Sequence, residues 1–168
     1  MSEPLIHLVC GSTGAGKTTY AIALGERLGG VRFSIDEWMT ELFWMDTPIP
    51  MQFEWSIERV RRCEAQIFAV ARQVAARAIP SVLDLGFGTA AQRTKFAALA
   101  TEAGLVAQLH FVDVPADERW RRVMRRNETK GETHRLDVPR DMFEFMERMW
   151  EPPSDAEMAA LKGVRIQA

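Results

Sequence analysis

The chain has 168 residues, which fits one domain over residues 1–168 and leaves too little room for two independent hydrophobic cores. Hydrophobic residues make up 47% of it, enough to build a buried core. The formal net charge of -2 argues against non-specific binding to nucleic acid or to an anionic membrane. Two cysteines cannot build a disulfide scaffold, and the apolar run at residues 5–10 is too short for a signal sequence or a membrane span. We therefore expect a soluble cytoplasmic protein, either a monomer or a homodimer.

Short apolar runs alternate with amphipathic segments, which predicts alternating strands and helices. The predicted strands are residues 5–10, 31–35, 81–85, 105–114 and 164–166. The predicted helices are residues 17–28, 54–78, 90–103, 116–127 and 139–150, and a short last helix that follows a capping box of Ser154 and Glu157. Strands and helices in this order imply right-handed crossovers and a parallel sheet with helices on both faces. Because ligands bind beyond the carboxyl ends of such strands, the loops after strands are the places to look for functional residues.

The first of these loops carries the most specific motif. Residues 11–18 read Gly-Ser-Thr-Gly-Ala-Gly-Lys-Thr and match G-x-x-x-x-G-K-[ST] between a predicted strand and a predicted helix. Glycines let backbone amides approach a phosphate, and Lys17 brings a positive charge to the β- and γ-phosphates. The Thr18 hydroxyl suits Mg²⁺. The predicted nucleotide-binding residues of this loop are Gly11, Ser12, Thr13, Gly14, Ala15, Gly16, Lys17, Thr18 and Thr19.

Carboxylates follow two further strands. Asp84 ends the third predicted strand, where it is expected to hold Mg²⁺ beside Thr18 or, alternatively, to cap a turn. Asp36 follows the second strand, where it is expected to receive the proton of an acceptor hydroxyl or, alternatively, to cap a helix. Glu37 is the second candidate for the same base.

A basic helix supplies the third element. Arg119, Arg122 and Arg126 share one face of it, and Arg125 shares part of that face. Arginines of this kind stabilise a transferring phosphoryl group or stack on a base. The alternative is a solvated helix held by salt bridges. We expect Arg122 and Arg126 to act in catalysis together with Lys17 and Asp36.

Several short motifs together resemble one family. They are the 11–18 loop, Ser-Ile-Asp-Glu at 34–37, Val-Leu-Asp-Leu-Gly-Phe-Gly at 82–88 with Gln-Arg at 92–93, Arg-Arg-Val-Met-Arg-Arg-Asn at 121–127, and Trp-Glu-Pro-Pro-Ser-Asp-Ala-Glu at 150–157. This set resembles the P-loop kinases of the AAA_33, or zeta-toxin-like, group, which is similar to polynucleotide kinase, gluconate kinase and chloramphenicol phosphotransferase.

The resemblance implies an α/β three-layer sandwich with a five-stranded parallel sheet in the order 2-3-1-4-5 and a small lid at about 127–138. It also implies ATP as the phosphoryl donor. By this likeness Asp36 is the acceptor-side base, Arg126 lies against adenine, and Arg122 and Arg135 are lid cations. Polynucleotide-kinase-like members often carry an arginine shortly after the Asp36 position, whereas this chain has Trp-Met-Thr at 38–40. We therefore expect an acceptor that is not phosphorylated or polyanionic.

The segment at residues 38–55 is rich in aromatic side chains and methionine. It borders the acceptor side of the expected cleft, so it either lines a pocket for an apolar molecule, packs on the core or forms a dimer contact.

The sequence thus predicts an ATP- and Mg²⁺-dependent kinase that transfers the γ-phosphate to a hydroxyl of a small molecule. Two alternatives remain open: an ATP-binding or ATPase module that acts through a protein partner, and a zeta-toxin-like kinase of a nucleotide sugar.

Overall fold

The computed structural model describes Glu3, residues 5–130 and residues 137–167. In these residues the strands are β1 (Ile6–Cys10), β2 (Val31–Ser34), β3 (Ser81–Asp84), β4 (Ala107–Asp113) and β5 (Val164–Gln167). The helices are α1 (Lys17–Leu28), α2 (Ile35–Phe43), α3 (Phe53–Ala75), α4 (Ala90–Glu102), α5 (Ala116–Thr129), α6 (Arg140–Met149) and α7 (Asp155–Ala160), and a 3-10 turn spans Trp44–Asp46. Every element predicted from the sequence is present. The largest difference among the helix ends is in α3, which ends at Ala75 because residues 76–79 form the turn into β3.

The strands form one parallel sheet in the order β2-β3-β1-β4-β5, as the resemblance implied. β1 lies at the centre, between β3 and β4. Leu8 pairs with Leu83, and Ser34 pairs with Asp84, so β1, β2 and β3 end side by side. The loops that follow these three strands therefore open at the same edge of the sheet.

Helices cover both faces of this sheet. On one face, Ile6 and Leu8 of β1 belong to a core that includes buried side chains of α3 and α4. On the other face, Val9 packs with Ala21 and Leu24 of α1. Because β1 is covered on both faces, all five of its residues are buried, which explains why the strand is mostly apolar.

The sequence raised helix α2 only as an alternative, in which Asp36 would cap it. Its cap is Ser34, whose hydroxyl accepts a hydrogen bond from the backbone N–H of Glu37. The capping alternative for Asp36 is therefore wrong, and Asp36 lies in the first turn. The sequence prediction extended β2 to Ile35 because this apolar residue follows the strand without a break, whereas in the structure it begins the helix.

The 38–55 segment divides into two parts. Trp38, Met39 and Phe43 pack against the core, as one of the three sequence interpretations expected. Six further large apolar side chains of the segment are exposed, and we call them the apolar segment: Leu42, Trp44, Met45, Ile49, Met51 and Phe53.

Within the residues that the structure describes, none of the helices combines the length and the hydropathy needed to span a membrane.

Candidate active site

The loop between β1 and α1 is enclosed between the sheet and helix α5. Gly14 has φ 80°, and a Cβ at this position would lie 2.7 Å from the carbonyl oxygen of Arg119 and 2.8 Å from Cγ2 of Val123. Only glycine therefore fits at position 14, both for its backbone conformation and for its contact with α5. Gly16 is the N-cap of α1 with φ 94°, and no side chain caps this helix end. The first amides of α1 thus remain available for an anion.

Lys17 and Thr18 begin α1 and lie beside Asp84. The Lys17 ammonium donates a hydrogen bond to the Ser12 carbonyl oxygen, with Nζ and O 3.2 Å apart. Burial lowers the pKa of Lys17, and the negative charges of Asp84 and Asp36 oppose this shift. Because both carboxylates act on this ammonium, the sheet edge brings together the residues that the sequence had placed in three separate loops.

Asp84 is buried, and this burial raises the pKa of its carboxyl group. A hydrogen bond from the Thr18 hydroxyl and the positive charges of Lys17 and Arg32 partly offset the shift. The Thr18 hydroxyl and the Asp84 carboxylate are thus adjacent hard oxygen donors, the type that Mg²⁺ prefers.

These donors fit a nucleotide-bound Mg²⁺. In the described part of the chain no group of three or more histidine, cysteine, aspartate or glutamate side chains is arranged to hold a metal ion. Mg²⁺ in phosphoryl-transfer sites is held mainly by phosphate oxygens and water, with one or two protein oxygens, so a pair such as Thr18 and Asp84 is sufficient.

Arg32 is a member of the site that the sequence did not reveal. Its guanidinium donates to Asp84 Oδ2 at 3.2 Å and also forms an ion pair with Glu37. Arg32 and Ser34 are two residues apart and therefore lie on the same face of β2. Because Ser34 pairs with Asp84 on β3, the side chain of Arg32 lies on the same face as that of Asp84. The sequence did offer one sign of this role, since Arg32 is a charged residue within a strand of only four residues. A charged side chain that a fold partly buries needs an oppositely charged or hydrogen-bonding partner.

The two candidate bases differ in their surroundings. Glu37 is engaged by Arg32, whereas Asp36 is exposed at the first turn of α2. No other described residue donates a hydrogen bond to the Asp36 carboxylate. Asp36 is therefore the more accessible of the two carboxylates to an incoming molecule.

The arginines of α5 have different environments. Arg119 is buried and its guanidinium is fully engaged by protein oxygens, so it does not belong to an open cationic face. Arg122 donates to Glu118 and, at 3.4 Å, to the Ala15 carbonyl oxygen, which places it beside the loop. Nε of Arg126 is buried, and no other described residue provides it with a hydrogen-bond partner. Arg135 lies outside the described residues, and so does half of the expected lid.

Arg93 of α4 holds the loop that follows β3. This side chain is fully buried, donates to the Phe87 carbonyl oxygen at 3.1 Å and to the Glu151 carbonyl oxygen at 2.8 Å, and pairs with Glu157. Phe87 has φ 48°, which is strained for an aromatic residue, and it is fully buried against Phe96 with ring centroids 5.1 Å apart. The motifs at 82–88, 92–93 and 150–157 therefore form one structural unit at the edge of the site.

This architecture defines a class of protein. A five-stranded parallel sheet in the order β2-β3-β1-β4-β5, with a G-x-x-x-x-G-K-[ST] loop after its central strand, is a P-loop NTPase fold. The chain belongs to the AAA_33 family, whose model, described as an AAA domain, matches residues 6–153. The resemblance noted in the sequence is thereby confirmed.

Solved structures support the same fold. Kti12 of Chaetomium thermophilum, in complex with ADP-AlF3, is 17% identical over 96% of this chain and 88% of that chain, with a TM-score of 0.72. The Mycobacterium tuberculosis APS kinase CysC, in complex with AMPPNP and APS, is 16% identical over 99% of this chain and 90% of that chain, with a TM-score of 0.64. A chain of the Pnkp1/Rnl/Hen1 RNA repair complex is 17% identical, with a TM-score of 0.68, and the match covers 89% of this chain but only 44% of that one. No curated protein sequence matches the chain.

Proposed function

We propose that this protein is an ATP-dependent kinase that transfers the γ-phosphate of ATP to a hydroxyl group of a small-molecule acceptor. The observation that carries this proposal is the convergence of Lys17, Thr18 and Asp84 beside the exposed carboxylate of Asp36. A donor-side phosphate cradle and an accessible base at the same edge of a sheet are the parts that phosphoryl transfer requires.

Each residue has a role in this reaction. The loop amides and Lys17 bind the β- and γ-phosphates, and Asp36 takes the proton of the acceptor hydroxyl as its oxygen attacks the γ-phosphorus. The bond between the γ-phosphorus and the β–γ bridging oxygen breaks, and ADP leaves. Arg122 and Arg126 balance the charge on the transferring group. When bound, Mg²⁺ would neutralise phosphate charge, and Thr18 and Asp84 are the residues that would hold it.

The test is ADP release in the presence of hydroxyl-bearing metabolites, nucleosides and antibiotics, followed by mass spectrometry of the acceptor. We expect Lys17→Ala to abolish turnover, because it removes the cation that binds the transferred phosphate. Asp36→Asn should leave nucleotide binding nearly intact and lose acceptor-stimulated transfer, whereas Glu37→Gln should retain it. The matched control is Glu41→Gln, which changes an exposed carboxylate on the same helix. Full phosphotransfer by Asp36→Asn would show that Asp36 is not the base.

A second candidate is an ATP-binding or ATPase module that acts through a protein partner. The apolar segment favours it, because large apolar side chains exposed together are common at protein interfaces. The two functions differ in what stimulates ATP turnover. A kinase would be stimulated by a small hydroxyl compound, whereas a module that acts through a partner would be stimulated by that partner protein.

A further inference from the structure

Helix α6 contributes a carboxylate to the loop of residues 11–18, which we call the phosphate loop. The Ser12 hydroxyl donates a hydrogen bond to Glu147 Oε1 at 2.5 Å, although the two residues are 135 positions apart. The same carboxylate receives both terminal nitrogens of Arg119, at 2.6 Å and 2.7 Å. A two-point pair of this kind fixes the direction of both side chains as well as their separation. We call Ser12, Arg119 and Glu147 the loop clamp.

Arg119 is held rigidly in this arrangement. Its Nε donates to the Val114 carbonyl oxygen at 2.8 Å, and its side chain is 6% exposed. A third contact from the guanidinium reaches the Thr13 carbonyl oxygen at 3.2 Å. Because protein groups on three sides bind the guanidinium, it cannot turn away from the loop without leaving a buried donor unpaired.

These contacts orient the loop peptides. In a trans peptide the carbonyl oxygen and the following N–H point in opposite directions. Since the Thr13 carbonyl points toward Arg119 and the Ala15 carbonyl points toward Arg122, the N–H groups of Gly14 and Gly16 point away from α5. Successive backbone N–H groups that point in a common direction are what a phosphate cradle requires.

We propose that Glu147 is a positioning residue for the phosphate loop: it holds the Ser12 hydroxyl and the Arg119 fork, and through them it keeps the loop amides directed at the nucleotide phosphates. The proposal rests on the proposed nucleotide-binding function of this loop. It extends that function to a helix that the binding motif does not include. In the folded protein Glu147 is a carboxylate, since hydrogen bonds from Arg119 lower the pKa of its carboxyl group.

The test compares ADP affinity with folding stability. Glu147→Gln keeps the shape of the side chain but replaces one acceptor oxygen with an amide, which cannot accept the second nitrogen of Arg119. We expect the Kd for Mg·ADP, measured by calorimetry well below the melting temperature, to rise about tenfold. Ser12→Ala removes only one hydroxyl and should raise Kd by about threefold to fivefold. The matched control is Glu144→Gln on the same helix, where Glu144 pairs with Arg140 at the surface; its Kd should not change.

A double variant separates positioning from simple support of the fold. If Glu147 acts through Ser12, the loss of affinity in the combined Ser12→Ala and Glu147→Gln variant should be smaller than the product of the single losses. A melting temperature that falls while the Kd of both single variants stays at the wild-type value would overturn the inference and leave the proposed function standing. Wild-type protein that binds no Mg·ADP would refute both. If Glu147→Gln does not fold, the Kd of Ser12→Ala decides alone, and a wild-type value refutes the inference.

Discussion

The ion pair between the partly buried Arg32 and the buried Asp84 offers a quantitative test of how the site is held together. The Arg32 side chain is 17% exposed and that of Asp84 6%, with the charged atoms 3.2 Å apart. At this separation, and with an effective dielectric constant of about 20, two unit charges attract by about 5 kcal/mol. Desolvation of both groups opposes that attraction, so we expect a net coupling of about 2–3 kcal/mol in the folded protein.

Urea denaturation of four proteins measures this coupling: wild type, Arg32→Met, Asp84→Asn and the double variant. Arg32→Met should lower the free energy of unfolding by about 3 kcal/mol, because it leaves Asp84 as a buried charge that has lost its nearest cation. The double variant should be less destabilised than the sum of the single variants. Arg62→Met is the matched control, since its pair with Glu58 is exposed on both sides and should contribute less than about 1 kcal/mol. A coupling for Arg32 and Asp84 no larger than that of the exposed pair would refute the reasoning.

Two further predictions concern the phosphate loop and the structural unit that Arg93 forms with Glu157. Gly14→Ala should raise the Kd for Mg·ADP by at least about tenfold, because the new Cβ would displace α5 from the loop. Gly88→Ala is the control and should bind Mg·ADP normally, because no atom lies within 4 Å of a Cβ at that position. Tight binding by Gly14→Ala would contradict the packing argument. The hydrogen bond from Arg93 holds the pKa of Glu157 below its ordinary value of 4.5, so the stability that this pair contributes is present above pH 4.5 and is lost as the pH falls through the lower pKa of the folded state. The melting temperature of Glu157→Gln should therefore lie below that of wild type at neutral pH and approach it as the medium becomes more acidic; an equal difference at all pH values would show that the charge is not responsible.

Much of the fold could be predicted from local patterns. The phosphate loop was identified from eight consecutive residues, because the glycines and the cation that a phosphate requires stand at fixed spacing in the sequence. The helix that follows it was predicted from the spacing of its apolar residues over 17–28. The capping box of Ser154 and Glu157 was likewise predicted from four residues and is present in the structure. The strand order followed from family resemblance, because neither periodicity nor spacing determines which strands are neighbours.

Other parts of the site depend on contacts between distant residues. Glu147 lies 135 residues from Ser12, and no feature of α6 in the sequence distinguishes this glutamate from Glu144, which pairs with Arg140 at the surface. In the sequence Arg119 is one of several arginines on a helix face, but folding buries it against the phosphate loop. The start of helix α2 was misplaced because Ile35 continues the apolar pattern of the strand before it.

The amino-acid sequence by itself determined the parts whose chemistry is local: the cradle of residues 11–18, the alternation of strands and helices, and the carboxylates that follow the strands. The tertiary structure alone decided which of the charged residues meet. Asp84 is joined by Arg32 and Thr18, and Glu147 is joined by Arg119 and Ser12. The physical reason is that charges are paired through space when the sheet and its helices bury them, and the separation of two residues along the chain carries no information about that pairing.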